Sequence, residues 1–194
     1  ISANYQSYNE MNGDNINDVF VDESKRIWLA NYPTGITVID YRYENYHWMK
    51  HSMGNKQSIV NDQVHAVIED SDGDLWFGTS NGISLYNSGT GEWHSFLSSF
   101  NHQLKDKNHI FITLCEVSPG IIWAGGYTSG IYKINKADLS VEYFSPYLLS
   151  HINMRPDKYI RDMIKDSKGH IWSGGYYNLK CFDLATNSVR LYPG

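Results

Sequence analysis

Asp70-Ser71-Asp72-Gly73-Asp74-Leu75-Trp76-Phe77-Gly78-Thr79-Ser80-Asn81-Gly82-Ile83 reads as one short strand between two tight turns, with a second strand starting at Ile83. The same wording recurs along the chain. Asp22-Glu-Ser-Lys-Arg-Ile-Trp28 and Asp166-Ser-Lys-Gly-His-Ile-Trp172 keep the Asp and the Trp, while Val117-Ser-Pro-Gly-Ile-Ile-Trp123 keeps the spacing and loses the Asp. The four Trp residues, Trp28, Trp76, Trp123 and Trp172, lie 48, 47 and 49 residues apart. A second anchor follows each: Gly35-Ile, Gly82-Ile, Gly130-Ile and Asn178-Leu, with Asn expected to take the left-handed backbone that Gly supplies elsewhere. Two anchors in register four times over make an internal repeat.

Each repeat divides into four strands. The first is apolar: Asn17–Val21, Val64–Ile68, Ile110–Cys115 and Tyr159–Ile164. The second carries the Trp, and alternation puts that ring on the same face as Ala30, Gly78, Gly125 or Gly174 two positions on. A large ring beside a missing side chain lets a neighbouring sheet approach closely. The third strand follows the second anchor, and the fourth is aromatic: Tyr46-His-Trp48, Trp93–Phe96, Tyr143-Phe144 and Leu191-Tyr192. A four-stranded unit of roughly 40 to 50 residues with a Trp signature is a β-propeller blade. No repeat holds a 3.6-period run long enough for a helical solenoid.

The expected fold is therefore all-β: a propeller of four blades, each of four antiparallel strands. Its divisions are an outer strand and linker (1–16), then blades at 17–53, 54–99, 100–147 and 148–194. Ala3–Tyr8 lies where an outer strand should precede the first blade, although the fourth already owns Ser188–Tyr192. That orphan favours a segment of a longer ring of roughly seven blades over a closed four-bladed ring. In such a segment Val19, Val21, Leu29 and Trp28 at one end, and Ile164, Trp172 and Phe182 at the other, are the side chains a cut could bare. Strand register decides which.

Composition agrees and removes other classes. Of 194 residues 28 are Trp, Tyr or Phe and 16 are Gly, a β-rich balance. Sixteen Lys and Arg against 21 Asp and Glu leave a net charge of −5, which argues against a nucleic-acid partner. No apolar run approaches the roughly 18 residues of a membrane span, so no membrane contact is expected of this segment. The start, Ile1-Ser-Ala-Asn-Tyr5, has no signal-peptide pattern and no initiator Met, reading as a mature protein or an excised piece. Cys115 and Cys181 sit in apolar runs and are expected as buried thiols.

The pattern Asp-x-x-Gly-x-Ile-Trp-x-Gly…Asn-Gly-Ile, fullest at Asp70–Ile83, resembles the two-component regulator propeller repeat. The resemblance runs from about Asn17 to Tyr192, with departures at Lys25 and Val117. It implies the periplasmic sensor region of a hybrid two-component system of the kind found in gut Bacteroidetes. There, propellers precede a small β-sandwich, a membrane span and a histidine kinase with receiver and DNA-binding parts. Oligosaccharides are the implied ligands, and further blades and sensor domains of the same chain are the implied partners.

In a propeller the loops joining second to third strand share one face with the linkers between blades. Here they are Asn31-Tyr32-Pro-Thr34, Thr79-Ser-Asn81, Gly126-Tyr127-Thr128-Ser129 and Gly175-Tyr176-Tyr177-Asn178. Tyrosine faces stack on sugar rings and amides or hydroxyls bond sugar hydroxyls. The candidate ligand residues are thus Asn31, Tyr32, Asn81, Tyr127, Thr128, Tyr176, Tyr177 and Asn178, with Arg161 for an acidic group. The same residues also suit ordinary turns. The linkers 51–62, 101–109 and 151–158, with Arg155, are polar enough to be merely solvated.

Asp70, Asp72 and Asp74 echo the opening of a calcium loop but lack its distal Glu, and they coincide with the repeated turn. No His or Cys spacing suits zinc, and His47 and His94 fall at equivalent repeat positions, so no metal or cofactor is expected. Repeat enzymes of the lyase and sialidase types resemble this chain more distantly. They would place His, Glu or Arg around the channel, where Tyr, Asn, Thr and Gly stand here, a poor set for proton transfer. A sensing role without catalysis is the expected function, with a propeller enzyme and a protein-docking scaffold as alternatives. Bared edges would favour association of two copies as a homodimer.

Overall fold

The computed structural model describes residues 15–40, 45–98, 109–144 and 158–193. The orphan strand Ala3–Tyr8, Arg155, most of the two later linkers and the His47 side chain lie outside the described residues.

Among the described residues sixteen strands form four four-stranded antiparallel sheets, each a simple meander. Blade 1 is β1 (Asn15–Val21), β2 (Ile27–Tyr32), β3 (Gly35–Asp40) and β4 (Asn45–Met49). Blade 2 is β5 (Val64–Glu69), β6 (Leu75–Thr79), β7 (Gly82–Tyr86) and β8 (Trp93–Phe96). Blade 3 is β9 (Phe111–Ser118), β10 (Ile121–Gly126), β11 (Ile131–Asn135) and β12 (Ser140–Phe144). Blade 4 is β13 (Asp162–Lys165), β14 (Ile171–Gly174), β15 (Asn178–Asp183) and β16 (Ser188–Pro193). These are consecutive blades of a β-propeller, with β1, β5, β9 and β13 packed in order along the inside.

Register puts each Trp against the following blade. Trp28 packs with Val67, Leu75 and Phe77; Trp76 with Leu114, Ile122 and Ile134; Trp123 with Met163, Ile171 and Phe182. The small residue two positions on makes that approach feasible. A Cβ at Gly78 would lie 2.8 Å from the Phe111 carbonyl oxygen, and one at Gly125 would lie 2.5 Å from Ile160. A Cβ at Gly174 would meet nothing within 4 Å, because no sheet follows blade 4 among the described residues.

The two open faces resolve which edge residues are bared. Val19 is 57% and Val21 52% exposed on blade 1; Ile164 is 64% exposed on blade 4, beside half-buried Trp172. Trp28 and Phe182 are buried because they face blades 2 and 3, and Leu29 is buried as well. Cys115 is buried, and burial pushes its thiol up to about 11. Cys181 departs from the expectation of a buried thiol: it pairs across from Trp172 on the open face of blade 4 and is partly exposed.

Polar ties join the blades at both levels of the inner strands. Asp18 Oδ2 accepts the Val67 N–H at 2.9 Å, and Thr113 Oγ1 accepts the Met163 N–H at 3.1 Å. At the turns, Glu116 accepts from both the N–H and the hydroxyl of Ser71 at 2.9 Å. The linker 51–62 is not merely solvated. Its Ile59 is buried between blades 1 and 2, Val60 is buried with its N–H donating to Ser84 Oγ, and Asp62 accepts the His51 N–H at 2.6 Å.

The repeated turn is a capped hairpin. Asp70 Oδ1 accepts the N–H of Asp72 and of Asp74, and Oδ2 accepts the Trp76 indole N–H at 2.8 Å. Asp22 and Asp166 hold Trp28 and Trp172 in the same way, at 3.0 and 2.9 Å. The turn glycines Gly73, Gly120 and Gly169 have positive φ, and in blade 1 Lys25 adopts that conformation (φ 65°). Gly35, Gly82 and Gly130 also have positive φ, but Asn178 does not. Its place in the repeat therefore does not rest on a left-handed backbone. The loop before it closes instead through Gly175 N–H to the Asn178 carbonyl.

The calcium-like cluster has its own cation. Lys136, from the blade 3 turn between β11 and β12, places Nζ 2.7, 2.8 and 2.9 Å from Asp70, Asp72 and Asp74. Burial opposes the Lys136 charge, but the hydrogen bonds to the three carboxylates outweigh it and raise its pKa.

Candidate functional site

Backbone bonds stitch the β2–β3-type loops to the lead-in of the next blade. Gly82 N–H donates to the His109 carbonyl at 2.7 Å and Gly130 N–H to the Lys158 carbonyl at 2.9 Å. Loops and linkers therefore share one face, opposite the Asp turns, and that face carries the exposed aromatics.

Its densest part spans blades 3 and 4. Tyr159 stacks on Tyr176 with ring centres 4.0 Å apart and planes 21° from parallel, while Tyr127 meets Tyr159 edge-on at 5.3 Å. Tyr177 adjoins Tyr176 at 6.5 Å. Tyr176 is 68% exposed, and Tyr127 and Tyr177 are exposed too. The neighbouring Tyr127 phenol, with burial and Tyr159, raises the Tyr176 pKa above its ordinary value. Tyr176 thus keeps its proton at neutral pH and remains a hydrogen-bond donor. Thr128 and Arg161 are exposed beside this group; the Arg161 backbone N–H donates to the Gly174 carbonyl.

Blades 1 and 2 present a different set. Tyr32 is half-buried with its ring 6.1 Å from that of His65. His65 Nε2 lies 2.8 Å from Ser80 Oγ, and its Nδ1 lies 3.4 Å from Asn17 Nδ2. Burial lowers the His65 pKa, so the ring is neutral at pH 7. Asn81 is half-buried, with its N–H on Thr79 Oγ1. Asn31 is fully buried and neither side-chain atom has a hydrogen-bond partner, so it does not present its amide at the surface.

The structure thus gathers Tyr127, Thr128, Tyr176, Tyr177 and Arg161 on two neighbouring blades, leaves Tyr32 and Asn81 on the other two, and sets Asn178 within β15. Tyr159 joins the aromatic group although its sequence context reads as the start of an inner strand. His65 and Ser80 were equally unmarked: a His in an apolar strand and a Ser in a turn become neighbours only through the β5–β6 pairing. Among the described residues no three His, Cys, Asp or Glu side chains are arranged to hold a metal ion, and no helix is long and apolar enough to cross a membrane.

Residues 58–81 match the family model of the two-component regulator propeller. No curated protein matches the chain. Among solved structures it is similar to the extracellular domain assigned to a hybrid two-component system, BT3049, of B. thetaiotaomicron. That match has a TM-score of 0.79 at 21% identity, over 97% of this chain and 25% of that one. The corresponding domain of BT4673 from the same organism gives 0.71 at 18% identity, over 92% and 24%. The WD40 repeats of RRP9 give 0.65 at 11% identity, over 92% and 51%. The chain spans about a quarter of the length of the two bacterial domains it matches. Its fold is theirs, a four-blade arc of β-propeller, and residues 58–81 within it are similar to the two-component regulator propeller repeat.

Proposed function

We propose that this chain is part of the ligand-sensing propeller of a membrane-bound two-component sensor, placed on the periplasmic side, whose loop face binds an oligosaccharide. The observation that carries this reading is the tyrosine group of exposed Tyr127, Tyr176 and Tyr177 around half-buried Tyr159, flanked by Thr128 and Arg161. Ring faces with phenolic donors suit stacking on a sugar and bonding its hydroxyls. The repeat at 58–81 and the likeness to extracellular domains of bacterial two-component systems support the sensing context and the placement. The segment itself acts by binding. Transmission to a histidine kinase, and from there to glycan-utilisation genes, belongs to other parts of the longer protein.

The open faces at Val19 and Val21 and at Ile164 and Leu179 support further blades as the partners of this segment. Apolar surface of this kind seldom stays in water, and a second copy would cover it where further blades do not. Thermal-shift screening of the full-length protein against neutral and acidic plant and host oligosaccharides tests the reading. One glycan class should raise the melting temperature, and Tyr176→Ala should abolish the rise. A rise that survives Tyr176→Ala would move the site away from the tyrosine group.

A further inference from the structure

The Asn17–His65–Ser80 chain has the outline of a nucleophile, a base and an orienting amide, and its proton arrangement rules that use out. Asn17 Nδ2 lies 2.9 Å from the Val64 carbonyl oxygen, an acceptor only, which fixes the amide with its NH2 toward His65. The same NH2 faces His65 Nδ1 at 3.4 Å. Nδ1 therefore accepts and the neutral ring carries its proton on Nε2, which donates to Ser80 Oγ at 2.8 Å. A ring in that tautomer cannot take the serine proton. Its effect is the reverse: with Oγ already accepting from His65, the Ser80 hydroxyl hydrogen is directed elsewhere, and no acceptor for it occurs among the described residues.

Three elements (β1, β5 and the β6–β7 loop) thus hold one hydroxyl as an oriented donor, and the Tyr32 ring lies against that of His65. The Ser80 backbone is fixed as well, its N–H donating to the Gln63 carbonyl at 2.9 Å. We propose that Ser80, set by His65 and Asn17, is a second subsite of the loop face, donating to a hydroxyl or ring oxygen of the bound oligosaccharide. This rests on the saccharide reading above and extends it to blades 1 and 2. A site built around a committed donor discriminates strongly against ligands lacking the matching oxygen.

The groups set against His65 are the Asn17 amide from β1, the Tyr32 ring from β2 and the Ser80 hydroxyl from the β6–β7 loop. Tyr32 is the one titratable side chain among these three. Protonating His65 puts a second N–H opposite the Asn17 NH2, so the orienting chain breaks in acid.

Calorimetric titration of the full-length protein with cellotetraose, xylotetraose and mannotetraose tests this, at about pH 7.5 and about pH 5, on either side of the ordinary histidine range. The tetrasaccharide that binds the parent should bind Ser80→Ala about tenfold more weakly, and Ser80→Thr, which keeps the hydroxyl, nearly as well as the parent. Parent affinity should fall at the lower pH, while His65→Gln, which has an amide donor and no titration, should lose that dependence. Equal binding by Ser80→Ala and the parent would overturn the subsite and leave the saccharide reading standing. Failure of the parent to bind any of the three would overturn both.

Discussion

The hairpin turns of blades 2 and 3 solve one problem with different residues. In blade 2 Asp70 sits buried at the turn, takes the Trp76 indole N–H and two backbone N–H groups, and is neutralised by Lys136 from the next blade. In blade 3 Val117 holds that position. The Trp123 indole N–H, equally buried, has no hydrogen-bond partner. Glu116, one residue earlier, caps the turn instead, accepting the Gly120 N–H at 2.9 Å while also holding Ser71. Trp123 is kept in place by rings, with Phe144 at 4.4 Å and Phe182 edge-on at 5.4 Å. Each Asp that is kept has a basic side chain beside it: Arg26 at Asp22, Lys136 of the next blade at Asp70, and His170 at Asp166. The repeat Asp is thus an acceptor for its own Trp, six residues on, and is found with a basic neighbour.

The largest expected effect breaks this comparison at the Trp. Trp76→Ala removes a fully buried ring and strands Asp70, and should cost about 3 to 5 kcal/mol in urea unfolding. Trp→Phe is the sharper pair. Trp76→Phe deprives Asp70 of a donor and should cost about 1 to 2 kcal/mol more than Trp123→Phe, which removes an N–H that bonds nothing. Equal costs would mean that the indole bond contributes nothing net.

Next comes the carboxylate. Asp70→Ala leaves Lys136 against Asp72 and Asp74 only, unpairs the turn N–H groups, and should cost about 2 to 4 kcal/mol. Val117→Ala, at the matching position, removes only part of an apolar contact and should cost about 1 to 2 kcal/mol. A larger loss at Val117 than at Asp70 would reverse the assignment of roles.

Acid offers a third test. Burial alone would raise the Asp70 pKa, but the bonds from Lys136, Trp76 and Asp74 N–H hold it below the ordinary 3.8. A carboxyl depressed in the folded state adds stability that is complete above its unfolded pKa. That stability is lost as pH falls from 3.8 through the folded value. Asp70→Asn should therefore be less stable than the parent at neutral pH, with the gap narrowing below about pH 4. Asp18 and Glu69, whose burial raises their pKa, act in the opposite sense and are common to both proteins. A gap constant across that range would show that Asp70 is not the group being titrated.

The strands were readable from sequence because alternation and the Trp spacing are local. The role of Asp22, Asp70 and Asp166 was not, since an Asp in a turn is already explained by its own backbone bonds, and the indole contact appears only once the hairpin closes. The same limit hid Tyr159, His65 and Ser80. Their partners lie in other strands or blades, and each residue type taken alone has an ordinary structural use. Asn31 shows the converse, a polar loop residue by sequence that β2 carries into the interior.

The smallest expected effect concerns the turn position three residues before each Trp. Gly73, Gly120 and Gly169 take a left-handed backbone there, at no steric cost, and in blade 1 Lys25 takes it with φ 65°. A non-glycine residue in that region costs about 1 to 2 kcal/mol relative to the right-handed one. Lys25→Gly relieves that strain but makes the unfolded chain freer by about 0.4 to 1 kcal/mol. The two largely cancel, so a gain of about 0.5 kcal/mol is expected, read as a small rise in the urea midpoint at unchanged slope. Gly73→Ala introduces the strain that Lys25 already bears, with Glu69 Oε1 at 3.9 Å as the nearest atom to the new Cβ. With no clash to add, its cost should be about 1 kcal/mol or less, the strain being partly offset by the stiffer unfolded chain. A loss well above that would mean the blade 2 turn, clamped by Lys136, tolerates less distortion than its blade 1 counterpart.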